Sequence, residues 1–507
     1  MNASSSNTPL SIPLGGRIPD SPHGVSVSLP TLRDVIAYEE KEPQTMAKVR
    51  SGYPRFVRHP FIEILSERFL AVHDLDGGSV QPFFFAAPHA AQDALERLGE
   101  CRMDVQCFQF QSISTLVAAR AGEAERLLAK YIQHTGTGLS SREAEERLME
   151  LEPTRQRFPE QKVMTGANER FRYLLHRWFA PAVRSAILPC KSGMNAFYAS
   201  FQAINQLQKP KHRLDWISVG WLYLDTMQIL DAYLESGGRH HAFTDVANTE
   251  ALLDFIQAEG HRIAGLVLEA PSNPLVQTPQ IARISEACQQ AGILTVMDPS
   301  LVSPRNVDLS PLCDIVCCSL TKYAVFEGDV MIGAVSVNLE RPNGRELEDQ
   351  LTVELTLGHA RDLARLGASL EQAIDVLERI NANTLKVAAY LESHRGVKHL
   401  HWAYADAFRG AYAAIARGPD RPGGVLTLDL ARPLEQVYDC LPFAKGPSFG
   451  TEFTLVCPYI HLAHYDLLKS EAGRRCLDAA GIHGNMIRLS VGTEDPEVLI
   501  EQFERCL

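Results

Sequence analysis

Four side chains that can do chemistry follow two strand-length apolar runs near the middle of the chain. Asp298 follows the first run, and Ser319, Thr321 and Lys322 follow the second. Taken singly, Lys322 could be a solvated loop lysine and Asp298 a helix cap. As an ordered set they suit pyridoxal phosphate, because a lysine forms an imine with its aldehyde and an acid faces its ring nitrogen. We expect Ser319 and Thr321 to hold the phosphate, since hydroxyl groups are good phosphate ligands.

The apolar runs around these residues have the length and composition of buried strands. They cover Gly265–Leu268, Ile293–Met297 and Asp314–Cys318, and an amphipathic pattern at Ile281–Gln290 lies between the first two. Buried strands that alternate with helices predict a parallel sheet, in which ligands bind at the carboxyl ends of the strands. The sequence therefore predicts an α/β fold with the candidate residues at one edge of its sheet.

A strand-to-helix turn earlier in the chain suits a phosphate group. A predicted strand at Ser185–Leu188 leads through Ser192, Gly193 and Met194 into a predicted helix at Asn195–Leu207. A glycine at such a turn lets backbone N–H groups approach an anion at the helix N-terminus. We expect the N–H groups of Gly193 and Met194 to bind the phosphate beside Ser192, although a Ser-Gly pair before a helix is common on its own.

Three segments of the chain resemble a known enzyme family. They are EAPSNPL at 269–275, VMDPS at 296–300 and DIVCCSLTKY at 314–323. In order and spacing they are similar to the Cys/Met-metabolism family of pyridoxal-phosphate enzymes, which includes cystathionine synthases and lyases. The chain looks closest to the longer, fungal-type cystathionine γ-synthases. This resemblance implies a fold-type I transferase, with a large domain built on a mostly parallel sheet and a smaller C-terminal α/β domain.

The resemblance also implies cofactor roles for residues outside these segments. The tyrosine that stacks on the cofactor ring and assists release of the lysine corresponds to Tyr223, here followed by two residues that are not glycine. The family's tyrosine–arginine pair reaches the phosphate site of a neighbouring subunit and corresponds to Tyr53 and Arg55. A second segment, YIQHTGTGLSSR, resembles the same motif and offers Arg142. The sequence leaves open which arginine reaches the phosphate, or whether the first pair is only a basic surface loop.

Three further residues are substrate ligands by the same resemblance. Arg488 lies in the segment MIRLSVGTED, and the family's arginine at this place binds the substrate α-carboxylate. Asn273 assists it, and Ser448 helps to position the lysine and the substrate. The segment around Ser448 also fits the G-x-S-x-G turn of serine hydrolases, but that turn needs a helix directly after the serine and no helix pattern follows here.

Composition shifts along the chain predict four regions. We expect a flexible arm at 1–25, an N-terminal segment with an inserted helical subdomain at 26–165, a cofactor-binding large domain at 166–390 and a small domain at 391–507. The arm is rich in Ser, Pro and Gly, and long helix-forming patterns lead into the last region.

The composition of the whole chain excludes several classes of protein. A net charge of −12 argues against nucleic acid or an anionic membrane as a main partner. The sequence has neither an apolar run long enough for a membrane span nor the pattern of a secretory signal. Its 11 scattered cysteines lack metal-ligand spacing and fit free thiols in a reducing cytoplasm. We therefore expect a cytoplasmic protein without a metal site.

The expected reaction follows from the resemblance. It is γ-replacement on an activated homoserine-type amino acid, through a vinylglycine-type intermediate that a second, nucleophilic substrate traps. A homodimer or homotetramer with shared active sites is also implied. Departures from the family pattern at Pro299 and at 326–329 leave open a γ-lyase, or a specialised γ-substitution that uses a sulfonium amino acid or a carbon nucleophile. A non-catalytic relative is the alternative from another class.

Overall fold

The computed structural model describes residues 12–50, 52–160, 162–165 and 168–507. At its centre lies a seven-stranded sheet. In spatial order its strands are Ser185–Cys190, Gly333–Asn338, Ile315–Ser319, Leu294–Asp298, Ile263–Glu269, Asp215–Val219 and His240–Phe243. Within this sheet Gly333–Asn338 is antiparallel to both of its neighbours, and the other strands run in one direction. The predicted α/β fold with a mostly parallel sheet is confirmed.

Both faces of the inner strands of this sheet are buried, which explains why these strands read as nearly continuous apolar runs. Ile315 and Cys317 pack into one hydrophobic cluster, whereas Val316 and Cys318 pack into another. Alternate residues of a strand point to opposite faces, so the two clusters are the two helical layers of the domain. The helices that follow the strands of this domain are Gly193–Gln208, Leu224–Ala232, Thr249–Glu259, Ile281–Ala291 and Gly344–Glu354.

A smaller C-terminal part is built around a second sheet of five strands. Their spatial order is Val397–His401, Val425–Leu430, Met486–Ser490, Leu455–Cys457 and Ala444–Lys445. The 34-residue helix Ala360–Ser393 leads into this part from the large sheet. Its other helices are Arg409–Ala413, Leu434–Cys440, Tyr459–Ala463, Tyr465–Lys469, Glu471–Ala479 and Pro496–Cys506. The predicted smaller α/β unit is therefore present.

The N-terminal region contains a sheet that the sequence analysis did not predict. Its antiparallel strands lie in the order Val80–Phe85, Ile113–Ala119 and Val105–Phe110. The region's helices are Leu32–Glu39, Pro43–Met46, Pro60–Val72, Pro88–Arg97, Glu123–Thr135, Ser141–Leu151 and Asn168–Phe179. The predicted helical subdomain is thus an α/β unit. Aromatic residues of its first strand pack into hydrophobic clusters on both faces of the sheet, Phe83 and Phe85 into one and Phe84 into the other.

Part of the predicted flexible arm packs against the body of the protein. Arg17–Ile18 pairs with Ser26–Val27, and the Val25 N–H donates to the Gly328 carbonyl at 3.0 Å. Burial of apolar side chains such as Ile18 holds this stretch in place. Residues 1–11 of the predicted arm lie outside the described residues.

One pair of cysteines departs from the prediction of free thiols. Cys440 and Cys506 form a disulfide that joins the ends of two C-terminal helices. Sequence spacing did not reveal this pair, because 66 positions separate the two residues. The other nine cysteines are free. Among the described residues, no helix is long and apolar enough to cross a membrane.

Arg142 is enclosed in a buried ionic cluster and does not reach the candidate site. Its guanidinium contacts Glu160, lies 3.0 Å from an Asp329 oxygen and donates to the Asp329 carbonyl at 2.7 Å. Asp362 lies 3.5 Å away on the long helix Ala360–Ser393. These carboxylates raise the pKa of Arg142 despite its burial. The possibility that Arg142 binds the cofactor phosphate is therefore wrong for this structure.

The cluster gives a stability prediction. Arg142→Met should lower the free energy of unfolding by about 3–5 kcal/mol, because it leaves buried carboxylates without their partner. Arg126→Met is the matched control, since Arg126 and Glu123 form an exposed pair at 3.8 Å and such pairs contribute less than about 1 kcal/mol. Urea unfolding curves of the three proteins provide the measurement. Equal losses in the two variants would contradict the assignment.

Candidate active site

A cavity of about 510 Å³ lies at the carboxyl ends of the central strands. All the predicted site residues except Arg142 line it: Tyr53, Arg55, Ser192, Gly193, Met194, Tyr223, Asn273, Asp298, Ser319, Thr321, Lys322, Ser448 and Arg488. The fold brings these residues together from the N-terminal region, the large sheet and the C-terminal part. Because the site residues come from distant parts of the chain, strand order alone could predict the positions only of those that follow strands of the large sheet.

Lys322 is buried in this cavity with its amine turned toward hydroxyl groups. Its Nζ donates to Ser448 Oγ at 2.9 Å and to Tyr53 Oη at 3.4 Å. The Phe449 ring lies 4.8 Å from the same atom. Burial disfavours the charged form and lowers the pKa of Lys322. A lysine in this setting is more available as a neutral nucleophile and base than one in water.

Asp298 and Glu269 end adjacent parallel strands in direct register. Burial raises the pKa of Asp298 to about 6, although the Ser300 N–H donates to its Oδ1 at 2.6 Å. Burial, and then the neighbouring Asp298, raise the pKa of Glu269 well above its usual value. Glu269 accepts a hydrogen bond from the Tyr223 N–H at 2.6 Å. Asp298 is thus a half-buried acid that a protonated ring nitrogen would stabilise in its ionised form.

The predicted phosphate turn is the start of the helix Gly193–Gln208. Ser192 caps this helix by accepting the Asn195 N–H at 3.0 Å. Gly193 is required by packing, because a β-carbon there would lie 2.7 Å from Ser319 Cβ. The first N–H groups of a helix attract anions, and they face the cavity together with Ser319 and Thr321. Thr321 is fixed by the backbone of Ile332, whose N–H donates to its Oγ1 at 2.9 Å.

Arg55 is the arginine that enters the cavity. Its Nη1 contacts Asp225 and donates to the Gln133 carbonyl at 2.6 Å, and its Nη2 donates to Tyr223 Oη at 2.5 Å. Tyr53 and Arg55 line the cavity of their own chain, contrary to the prediction that they reach a neighbouring subunit. Asp225 holds Arg55 there, and it occupies a position where the resemblance led us to expect glycine.

Arg488 enters the cavity from the C-terminal sheet, on the strand Met486–Ser490. Its guanidinium donates to Asn273 Oδ1 at 3.0 Å and to the Ser448 carbonyl at 3.2 Å. The Tyr459 and Phe449 rings lie 4.4 and 5.2 Å from its central carbon. Cation–ring contacts of this kind hold a guanidinium in place and leave its N–H edge available for a carboxylate.

Sequence reasoning missed several residues of the cavity wall. They are Gln133, Phe449 and Tyr459 in the wall itself, and Asp225, which pairs with the wall residue Arg55. Only Asp225 had a visible signal, since it replaces a glycine of the family pattern. The others are aromatic or amide residues without a motif, and their positions depend on how separate parts of the chain pack.

The loop that carries Ser448 rules out the hydrolase turn. Ser448 lies between the strands Ala444–Lys445 and Leu455–Cys457, and no helix begins after it. Its backbone has a φ of 101°, which is rare for a residue with a side chain. Among the described residues, no group of His, Cys, Asp or Glu is arranged to hold a metal ion.

These residues fit pyridoxal phosphate by their chemistry. The cavity contains a neutralisable amine at Lys322, an acid of raised pKa at Asp298, and a helix start with adjacent hydroxyl groups for an anion. The family model for Cys/Met metabolism PLP-dependent enzymes matches residues 182–507, more than half of the chain. The chain belongs to this family. Its cofactor is pyridoxal phosphate, and its large domain has the fold-type I architecture.

Members of the family with similar sequences cover almost the whole chain. An L-2-amino-4-chloropent-4-enoate dechlorinase/desaturase from Streptantibioticus cattleyicolor is 36% identical over 96% of this chain and 96% of that protein. The cystathionine γ-synthase of Neurospora crassa is 26% identical over 97% of this chain and 98% of that protein. The predicted similarity to fungal cystathionine γ-synthases is thus confirmed.

Solved structures of the family agree in fold. Cystathionine γ-synthase from Xanthomonas oryzae pv. oryzae, in complex with aminoacrylate and cysteine, has a TM-score of 0.55 and 21% identity. The structural match covers 67% of this chain and 85% of the Xanthomonas chain. At this identity the likeness establishes the fold.

The burial of Asp298 gives a pH prediction for the cofactor-free protein. Its folded pKa of about 6 lies above the usual 3.8, so the folded state binds the extra proton between these values. Stability should therefore fall as pH rises through this window, and Asp298 should account for about 2 kcal/mol of the loss between pH 4.5 and 7. Asp298→Asn should remove that part of the slope in urea unfolding measurements. Parallel pH curves for the wild type and the variant would show that Asp298 titrates normally.

Proposed function

We propose that this enzyme catalyses elimination or replacement at the γ-carbon of an α-amino acid that carries a leaving group there. The observation that supports this most directly is the cavity itself, in which the Lys322 amine and the Arg488 guanidinium share one site with Asp298. An amino acid can place its amino group toward Lys322 and its carboxylate at Arg488. This arrangement leaves the side chain of the substrate in the cavity that lies between the two.

The cofactor would be held by three groups of residues. Gly193, Met194 and Ser192 at the helix start, with Ser319 and Thr321, would bind its phosphate. Arg55 would add positive charge at that end. Pyridoxal phosphate, when bound, supplies an aldehyde that condenses with amines and a ring that accepts electron pairs from substrate carbon atoms. Asp298 would keep the ring nitrogen protonated and so favour this electron uptake.

Lys322 is the proposed proton carrier of the reaction. Its lowered pKa leaves Nζ free to accept a proton from the substrate α-carbon and to return it elsewhere. Ser448 Oγ, which accepts a hydrogen bond from Nζ, would orient the amine. Tyr223 would cover the ring, because its own side chain is fixed by Arg55.

Arg488 is the proposed carboxylate ligand. Asn273 and the aromatic rings fix its guanidinium, so little side-chain entropy remains to be lost when a carboxylate binds. A planar guanidinium binds a carboxylate through two parallel hydrogen bonds. The amino acid would therefore bind in one orientation.

The relatives favour two variants of this reaction. The cystathionine γ-synthases support replacement on an activated homoserine derivative, with a second substrate as nucleophile. The 36% identical relative is named for dechlorination and desaturation of L-2-amino-4-chloropent-4-enoate. That name supports a second candidate, elimination of chloride from a γ-chlorinated amino acid without an external nucleophile. We further propose a homodimer or homotetramer in the cytoplasm, and region bounds at 26–165, 166–390 and 391–507.

A comparison of leaving groups tests the proposal. The purified protein with pyridoxal phosphate should show a visible absorbance band that disappears in Lys322→Ala. It should release acetate from O-acetylhomoserine or chloride from a γ-chlorinated amino acid, and Lys322→Ala should lower the rate by at least about 1,000-fold. Product analysis with and without cysteine separates replacement from elimination. A protein that binds the cofactor but releases neither anion would refute the proposed reaction.

The carboxylate site makes a separate prediction. Arg488→Lys should raise KM by about 10- to 100-fold, because lysine cannot form the paired hydrogen bonds. The visible absorbance band should stay, since Arg488 is not assigned to the cofactor. Steady-state kinetics and an absorbance spectrum on one preparation measure both effects. An unchanged KM would place the substrate carboxylate elsewhere.

A further inference from the structure

Two tyrosine hydroxyl groups in the cavity have different neighbours. Tyr223 Oη accepts a hydrogen bond from Arg55 at 2.5 Å. Tyr53 Oη instead accepts one from Lys322 Nζ at 3.4 Å, and that amine lies 5.0 Å from the centre of the Tyr53 ring. The tyrosine that the sequence assigned to phosphate binding is thus the one in contact with the reactive amine.

The charges around Tyr53 favour proton exchange with this amine. Burial alone would raise the pKa of Tyr53, but the cations Lys322 and Arg55 hold it below its usual value. Burial lowers the pKa of Lys322, which favours its neutral form. Tyr223 differs, because burial raises its pKa well above the usual value. Of the two hydroxyl groups, that of Tyr53 accepts a hydrogen bond from Nζ and has a lowered pKa, whereas that of Tyr223 bonds to Arg55 and has a raised pKa.

We propose that Tyr53 is the proton-exchange partner of Lys322 in the reaction assigned above. In this step an N–H bond of the Lys322 ammonium breaks and an O–H bond forms on the Tyr53 phenolate. The pair keeps one proton throughout, so its net charge stays constant inside a buried cavity. Lys322 becomes a neutral base without a proton having to leave for bulk water, and the reverse transfer restores the starting state. This inference rests on the proposed function for the use of the base, but the proton sharing itself can be measured without substrate.

The other polar groups around the pair are poor candidates for exchanging this proton, because they are paired with other residues or do not ionise near neutral pH. The titratable and charged residues that act on Tyr53 or Lys322, or are acted on by them, are Arg55, Tyr223, Asp225, Asp298, Cys457 and Arg488. Arg55 is paired with Asp225, and Arg488 with Asn273. Ser448 Oγ accepts from Nζ at 2.9 Å, but a serine hydroxyl does not ionise near neutral pH and cannot take up the proton.

The test uses Tyr53→Phe in the holoenzyme, with Tyr223→Phe as the matched control. Each variant removes one hydroxyl group and keeps the ring, and the two hydroxyl groups differ in their contact with Nζ. The first readout is the pH midpoint of the visible absorbance band of the cofactor joined to Lys322. Loss of an anionic partner disfavours the protonated nitrogen, so Tyr53→Phe should lower this midpoint by about one pH unit or more, and Tyr223→Phe should leave it nearly unchanged.

Two further measurements separate this role from phosphate binding. Tyr53→Phe should lower kcat by about 100-fold or more and change the Kd for pyridoxal phosphate by less than about threefold. A Kd weakened by about tenfold or more with an unchanged pH midpoint would identify Tyr53 as a phosphate ligand and overturn the proposal. An unchanged midpoint with unchanged affinity would overturn it as well. Because the midpoint needs no substrate, a wild-type enzyme that fails to act on the tested amino acids would refute the proposed function without affecting this result.

Discussion

The structure depends on keeping the Lys322 amine out of water. An ammonium group in a buried cavity is costly, and the cost is what lowers the pKa of this lysine. The same cavity raises the pKa of Asp298 on the next strand. Exclusion of water from one cavity thus favours the neutral form of both the amine and the neighbouring carboxyl group. The remaining elements of the site either enclose this space or fix the groups that face it.

Enclosure comes from parts of the chain that are far apart in sequence. The N-terminal segment contributes Tyr53 and Arg55, and the C-terminal sheet contributes Arg488. Asp225 is central to this assembly, because its carboxylate holds Arg55 against the large domain. A buried ion pair of this type is weak evidence for stability but fixes the position of its partners. Residues from both ends of the sequence therefore meet at one cavity.

Much of the site could be predicted from local sequence, because strand ends determine it. Asp298, Ser319 and Lys322 follow apolar runs of a buried parallel sheet, and such strands place their ends at one edge. Tyr53, Arg55 and Arg142 could not be distinguished in this way. Two segments carried a similar motif, and only packing shows that one arginine enters the cavity while the other is enclosed by carboxylates.

Parts of the fold escaped prediction for other physical reasons. The strands Val80–Phe85, Ile113–Ala119 and Val105–Phe110 belong to a small antiparallel sheet, and polar residues such as Gln81 and Gln106 interrupt their apolar pattern. The disulfide between Cys440 and Cys506 joins residues whose proximity depends on the packing of two helices. Both features follow from long-range contacts, which residue spacing does not encode.

The long helix Ala360–Ser393 limits how the two halves of the enzyme can move. At about 1.5 Å of rise per residue, its 34 residues form a rod of about 50 Å. Bending such a rod in its middle would break backbone hydrogen bonds along a largely buried face. The backbone leaves helical geometry at His359 and His394, so the helix is a stiff connection between the large domain and the C-terminal sheet.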